Sequence, residues 1–221
     1  MSAPVIDDDG RIIGRVTVDD ILDVVEEEAT EDMLKMAGVG EHERLNTPIW
    51  ASVKKRIIWL QLNLFTATLS ASVVTLFEDT IHKMIVLATL MPIVAGLGGN
   101  AGTQSITMVV RNIATGEINN LNLWNAVRKE FSIGVLNGIF LGSITACATY
   151  LIKGDFRLSI VIGLAMVINL TAAGLVGSMA PIILRFLKID PAVASSIFVT
   201  TCTDILGFFT FLGLATLFIA R

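Results

Sequence analysis

Residues 192–220 read AVASSIFVTTCTDILGFFTFLGLATLFIA, and Asp204 is the one charged side chain among them. About 20 consecutive apolar residues suffice to cross about 30 Å of hydrocarbon as a helix, so the run reads as a membrane span. Asp204 lies about twelve residues in, which at about 1.5 Å per residue is about 18 Å from the start and near mid-membrane. A carboxylate at that depth costs at least a few kcal/mol unless it is paired, protonated or hydrated. No basic residue lies at comparable depth in any apolar run, so a salt bridge within the membrane is not expected. Two readings stay open: a protonated structural aspartate, or an ion or proton site.

Four more apolar runs precede this one, at about 57–77, 84–110, 131–152 and 158–184. Charged residues make up 16% of the chain and mean hydropathy is +0.73. Soluble domains carry about 25% charged residues. The sequence therefore predicts an all-α membrane protein with five transmembrane helices. Nothing resembling a secretory signal peptide stands at the start. Lys and Arg near the span ends set the orientation. With the N-terminus in the cytosol, the inner side holds Lys54, Lys55, Arg56, Arg111, Arg128, Lys129, Arg185 and Lys188. The outer side holds only Lys83, Lys153, Arg157 and Arg221. This places the N-terminus inside and the C-terminus outside. Trp50, Trp59 and Trp124 fall near the cytosolic boundaries. Cys147 and Cys202 lie in apolar runs and are expected to be buried free thiols.

Residues 1–47 hold thirteen acidic and four basic residues, net −9, whereas 48–221 are net +5. An acidic head on such a body is no nucleic-acid binder. Val5-Ile6, the turn Asp9-Gly10 and Ile12 to Val16 read as a hairpin. Thr17 with Asp20 then caps a helix start. A hairpin and a helix start are too small to bury a core, so residues 1–17 read as the last piece of a larger cytosolic domain. Residues 18–37 form an acidic amphipathic helix with an apolar stripe of Ile21, Leu22, Val25, Ala29, Met33 and Met36, ended by Gly38 and Gly40. Thr47 and Pro48 are predicted as N-cap and first residue of the next helix.

On the last span, Ser196, Thr200, Thr203, Asp204 and Gly207 share a small, polar stripe. It reads either as a tight helix seam or as a water-filled lining, and the carboxylate favours the lining. The second span carries MPIVAGLGGNAGTQSIT, residues 91–107. Pro92 is a possible kink, and Gly96, Gly99, Asn100, Thr103 and Thr107 share a face. Two such spans suggest a pore wall. One carboxylate with amide, hydroxyl and carbonyl oxygens is a hard-oxygen donor set that suits Mg2+, Ca2+ or Mn2+. One carboxylate per chain is few for a divalent ion, and a two-fold dimer would bring two Asp204 side chains together. Mg2+ dehydrates reluctantly and keeps several waters, so a sparse site is adequate. On the acidic helix, Asp20, Asp23, Glu28, Glu31 and Asp32 include like-charge pairs that repel. They read as a solvated face or as a cytosolic metal sensor.

PVIDDDGRIIGRVTVDDILDVVEEEATEDM, PIVAGLGGNAGTQS and DPAVASSIFVTTCTDILGF together resemble the MgtE family of magnesium channels over nearly the whole chain. The resemblance implies residues 1–17 as the end of a CBS domain, 18–47 as the connecting (plug) helix and linker, and 48–221 as the pore domain. It implies a homodimer in the plasma (bacterial inner) membrane with a pore at the dimer axis, lined by the second and fifth spans. Asp204 matches the family's central pore aspartate, which holds hydrated Mg2+, and Thr200 contributes there through its backbone. Asp190 matches an acidic position at the cytosolic mouth, and Asn100 a position beside the pore. Asp20, Asp23, Glu28, Glu31 and Asp32 match positions where cytosolic Mg2+ closes the pore. The family's N-terminal helical domain and nearly all of its two CBS domains have no counterpart here, so weakened Mg2+-dependent closure is expected. Rival expectations are an ion-coupled secondary transporter of divalent cations and a structural membrane subunit. An intramembrane aspartyl protease is disfavoured because it needs two carboxylates sharing a proton. No enzymatic activity is expected.

Overall fold

The computed structural model describes residues 1–39, 43–118, 121–193 and 196–219. Strands β1 (Ser2–Ile6) and β2 (Ile12–Thr17) pair antiparallel. Their turn is held by Asp7 Oδ1, which accepts from the amides of Asp9 (3.1 Å) and Arg11 (2.8 Å). Gly10 supplies the left-handed residue there at φ +76°. Helix α1 (Val18–Met36) starts with a complete capping box: the Asp20 amide donates to Thr17 Oγ1, and the Thr17 amide and hydroxyl donate back to Asp20 Oδ2. The helix stops at Gly38, whose φ of +68° fits a left-handed terminus. Gly40 lies outside the described residues. The apolar stripe expected to pack is largely open, with Ile21, Leu22, Val25 and Met33 exposed.

Among the described residues five helices are long and apolar enough to cross a membrane: α2 (Ile49–Thr75), α4 (Val86–Ala114), α5 (Leu123–Lys153), α6 (Phe156–Phe186) and α7 (Ser196–Phe218). Pro48 caps α2 rather than opening it, since it sits at ψ 138° and its carbonyl accepts from Ala51. A short helix the hydropathy pattern hid, α3 (Glu78–Lys83), links α2 to α4, and its Thr80 hydroxyl meets that of Thr216 on α7 at 2.8 Å. Helix α4 runs unbroken through Pro92.

Helix α6 is the centre of the bundle, packed by α4, α5 and α7. Leu87, Leu90 and Val94 of α4 meet Leu158, Ile162, Met166 and Leu170 of α6 and Phe211, Leu212 and Ala215 of α7. The α5–α6 seam is built on Gly134, Gly138 and Gly142, one turn apart. A Cβ on them would stand 2.6, 2.8 and 2.8 Å from backbone atoms of Leu170, Val167 and Gly163. Small residues at this spacing let two membrane helices approach until their backbones touch. Helix α2 lies against α7 at the margin and keeps Leu60, Leu64, Phe65 and Leu69 exposed. Cys147 and Cys202 are exposed on the protomer rather than buried. A thiol on the outer face of a membrane helix meets an apolar surrounding, where it packs as a small hydrophobe.

Candidate ion-conducting site

Glycines fix the approach of α4 to α7. A Cβ on Gly99 would lie 3.1 Å from the Thr200 methyl, and one on Gly102 2.4 Å from Val199 Cγ1. The contacts lay residues 99–102 of α4 alongside 199–203 of α7. The polar stripe of α7 then divides. Thr203 is 0% exposed and Gly207 is buried, so both belong to the seam. Ser196, Thr200 and Asp204 are half-buried at its edge. Thr200 Oγ1 donates to the Ser196 carbonyl at 2.8 Å, and the Thr200 carbonyl accepts from Thr203 Oγ1 at 2.9 Å. On α4 the face divides likewise: Gly99 is buried, Thr103 is half-buried with its hydroxyl on the Gly99 carbonyl (2.9 Å), and Asn100 is exposed. A Cβ on Gly96 would meet nothing within 4 Å.

Asp204 has no hydrogen-bond or ion-pair partner among the described residues. It sits eight residues past Ser196, about 12 Å from the start of α7. It is therefore nearer the start of its span than a span opening at Ala192 would put it, because Pro191–Val193 form a separate 3-10 turn. A half-buried, unpartnered carboxylate on one span and an exposed carboxamide on the span packed against it are poor surfaces to offer hydrocarbon. The carboxylate can accept hydrogen bonds from the water shell of a cation, or bind one directly.

Two polar groups escaped the sequence reading. Asn169 of α6 is 0% exposed and wedged between glycines: a Cβ on Gly98 or Gly207 would stand 2.3 or 2.7 Å from its Nδ2. Nδ2 donates to the Val94 carbonyl at 2.9 Å, while Oδ1 is buried without a partner among the described residues. Asn169 thus sets the spacing of α4 and α7 one turn from Asp204. A lone Asn in an apolar run carries no signal of this until its glycine partners are known. Glu130 lies inside α5, which begins eight residues before the apolar run at 131, and accepts from Ser105 Oγ at 2.7 Å.

At the end of the bundle where α4 stops and α7 starts, Met36 of α1 packs on the cluster of Ile106, Val110, Ala192 and Val199. Lys35 Nζ bridges Glu31 at 2.6 Å and Asp190 Oδ2 at 2.7 Å. The acidic positions are dispersed otherwise. Asp20 is engaged in the cap, Asp23 and Glu28 are exposed, and only Glu31 and Asp32 reach the neighbourhood of Asp190. Among the described residues no three His, Cys, Asp or Glu side chains converge as a metal cage, and the cation seated at Asp190 is Lys35. The sequence held half of this signal, the i, i+4 pair Glu31–Lys35.

Charge at this junction makes docking of α1 depend on pH. Burial pushes Asp190 up, but the Lys35 ammonium and the Ala192 amide outweigh it and hold the carboxyl below its usual value. Hydrogen bonds that Lys35 donates to Asp190 and Glu31 hold its ammonium above the usual lysine value. Burial, then the Asp190 charge, push Asp32 up. Asp190 therefore supports docking above the ordinary carboxylate range and loses that as pH falls through its lowered value. Lys35 supports docking below the ordinary lysine value, near 10.5, and loses that at higher pH. Asp32 has the opposite sign to Asp190: its contribution is present only below its ordinary value and is lost as pH rises through the raised one. Lys35→Ala is expected to lower the docked population about fivefold at neutral pH, roughly 1 kcal/mol for a partly exposed pair. Asp32→Asn is expected to raise it. Spin-label distances between Ala29 and Ile189 read both.

The profile of the MgtE family, described as divalent cation transporters, matches residues 91–214. The chain is 35% identical to the magnesium transporter MgtE of Bacillus subtilis over 219 residues, 99% of this chain and 49% of that protein. It is 36% identical to the magnesium transporter MgtE of Thermus thermophilus over 220 residues, 97% of this chain and 48% of that protein. The chain spans about half the length of the curated relatives it matches. The matched segment runs from Met91 through the glycines of α4 to beyond Asp204, so it contains the glycine-built part of the α4–α7 seam. The chain is an integral membrane protein, not an enzyme, and belongs to the MgtE family of divalent cation transporters.

Proposed function

We propose that this chain conducts Mg2+ through a pore formed between two copies of itself in the plasma (bacterial inner) membrane, with the N-terminus cytosolic and the C-terminus outside. The observation that carries the reading is Asp204: a half-buried carboxylate on a membrane helix, without a partner among the described residues of its own protomer, one turn beyond Thr200, which packs on Gly99 of α4. A second copy facing that surface supplies a second Asp204. Two carboxylates then balance one divalent ion, and the water shell bridges ion to protein. Gly99, Thr103, Thr200 and Ser196 border the path through backbone or hydroxyl oxygens, while Thr203 and Gly207 hold the wall from behind.

Regulation by cytosolic Mg2+ belongs at the α1 junction. Lys35 already provides a cation between Glu31 and Asp190 that ties α1 to the mouth. Burial chiefly raises Asp32, and Mg2+ drawn to Glu28, Asp32 and their neighbours would relieve the charge repulsion that adds to it, and so favour the docked state. Asp20 and Asp23 add to the long-range attraction of this face. In this reading residues 1–17 are the end of a CBS domain, 18–47 the plug helix and linker, and 48–221 the pore domain.

Flux into liposomes loaded with a Mg2+-sensitive dye tests the function. The expected result is uptake down the Mg2+ gradient that is indifferent to proton and sodium gradients. Uptake that stops when those gradients are collapsed would make the chain an ion-coupled carrier instead.

A further inference from the structure

We propose that the groove between α4 and α5, with Glu130 at its base, is a second binding site for a hydrated divalent cation, distinct from Asp204. The choice of cation class rests on the reading above; the site itself rests on geometry. Glu130 is 7% exposed and lies about 11 Å into α5 from its cytosolic end. Its Oε2 accepts from Ser105 Oγ at 2.7 Å. Oε1 takes no partner among the described residues, and Lys129 lines the same groove without pairing to it. An ionisable side chain buried in a membrane helix is retained at a cost that pairing, water or an ion offsets.

The groove has room for that offset. It encloses about 180 Å³ between Gln104 and Ser105 of α4 and Glu130 and Asn137 of α5, floored by Leu170 and Gly174 of α6. At about 30 Å³ per water this is space for about six waters. The polar groups on its largely apolar wall are a carboxylate, a hydroxyl, two carboxamides and the Lys129 ammonium. All but the last offer oxygen, a set suited to a hard cation that keeps part of its water shell. The groove also persists for a reason. Glycines pull α5 onto α6, with a Cβ on Gly174 only 2.5 Å from the Glu130 carbonyl, while α4 and α5 barely touch. The cleft between them therefore stays open beside Glu130.

The test uses Mn2+ as probe and a reporter at the groove. With Cys147 and Cys202 replaced by serine, a fluorinated label is placed on Met108→Cys, at the mouth of the groove. Mn2+ is expected to broaden its fluorine resonance, and excess Mg2+ to restore it. Glu130→Gln keeps the side-chain volume and the bond to Ser105, and is expected to shift the Mn2+ dependence at least tenfold while melting like the parent. Ser105→Ala is expected to shift it less. Broadening that is absent, or identical in parent and Glu130→Gln, overturns the proposal. Because the readout is binding, a protein that shows the broadening but no Mg2+ uptake would sink the conduction reading and leave this site standing.

Discussion

Asp204→Ala is expected to cut Mg2+ uptake into liposomes at least tenfold while leaving the protein as stable as the parent or more so. The two effects have opposite signs for one reason. In the protomer the carboxylate has no partner among the described residues to lose, and burying it costs at least a few kcal/mol. Replacing it with a methyl group removes that cost. In the proposed dimeric pore the same carboxylate would supply the negative charge that offsets removal of bulk water from the ion, so conduction is expected to fail. Asp204→Asn keeps the shape and hydrogen-bonding capacity without the charge, and its uptake is expected to fall nearly as far. A structural aspartate would give the reverse: lower melting temperature and unchanged flux per folded protein.

Gly174→Ala is expected to abolish stable folding in detergent. The added Cβ would stand 2.5 Å from the Glu130 carbonyl oxygen and 3.2 Å from its carbon. Overpacking typically costs about 1–3 kcal/mol when flexible side chains can yield, and a cost of about 3 kcal/mol or more is expected where they cannot. Here the obstacle is backbone within a helix already pressed onto its neighbour at Gly134, Gly138 and Gly142. Gly134→Ala, at 2.6 Å from the Leu170 carbonyl, is expected to behave alike. Gly96→Ala is the control for stability: open space surrounds that position, and Ala is the better helix former by about 1 kcal/mol. Thermal melting of the three variants separates packing from propensity.

The five spans were legible because a run of about 20 apolar residues has few alternatives to a membrane helix. Their ends were not. The first two turns of α5 carry Asn125, Arg128, Lys129 and Glu130, polar enough to read as a loop yet helical in place, so the buried carboxylate was left outside the span. The start of α7 moved the other way, since Pro191–Val193 turn before the helix forms. Asp204 was legible as a charge where none belongs. Its companions were only partly so. A spacing of i, i+4, i+7 and i+11 groups Ser196, Thr200, Thr203 and Gly207 on one side of a helix, but does not say which of them a neighbouring helix covers. Thr203 and Gly207 went to the seam. Asn169 and its bond to the Val94 carbonyl, 75 positions away, belong to tertiary packing alone. So does the Lys35–Asp190 pair, separated by 155 positions.

The central claim is that two Asp204 side chains share one hydrated divalent ion. Anomalous diffraction from crystals of the protein soaked in Mn2+ tests it most directly. The account predicts a peak on a two-fold axis between two Asp204 carboxylates, about 4–5 Å from each, the distance left by one water layer between ion and oxygen. A Mn2+-replete crystal with no peak there, or with the two Asp204 side chains turned away from each other across the dimer, would contradict it.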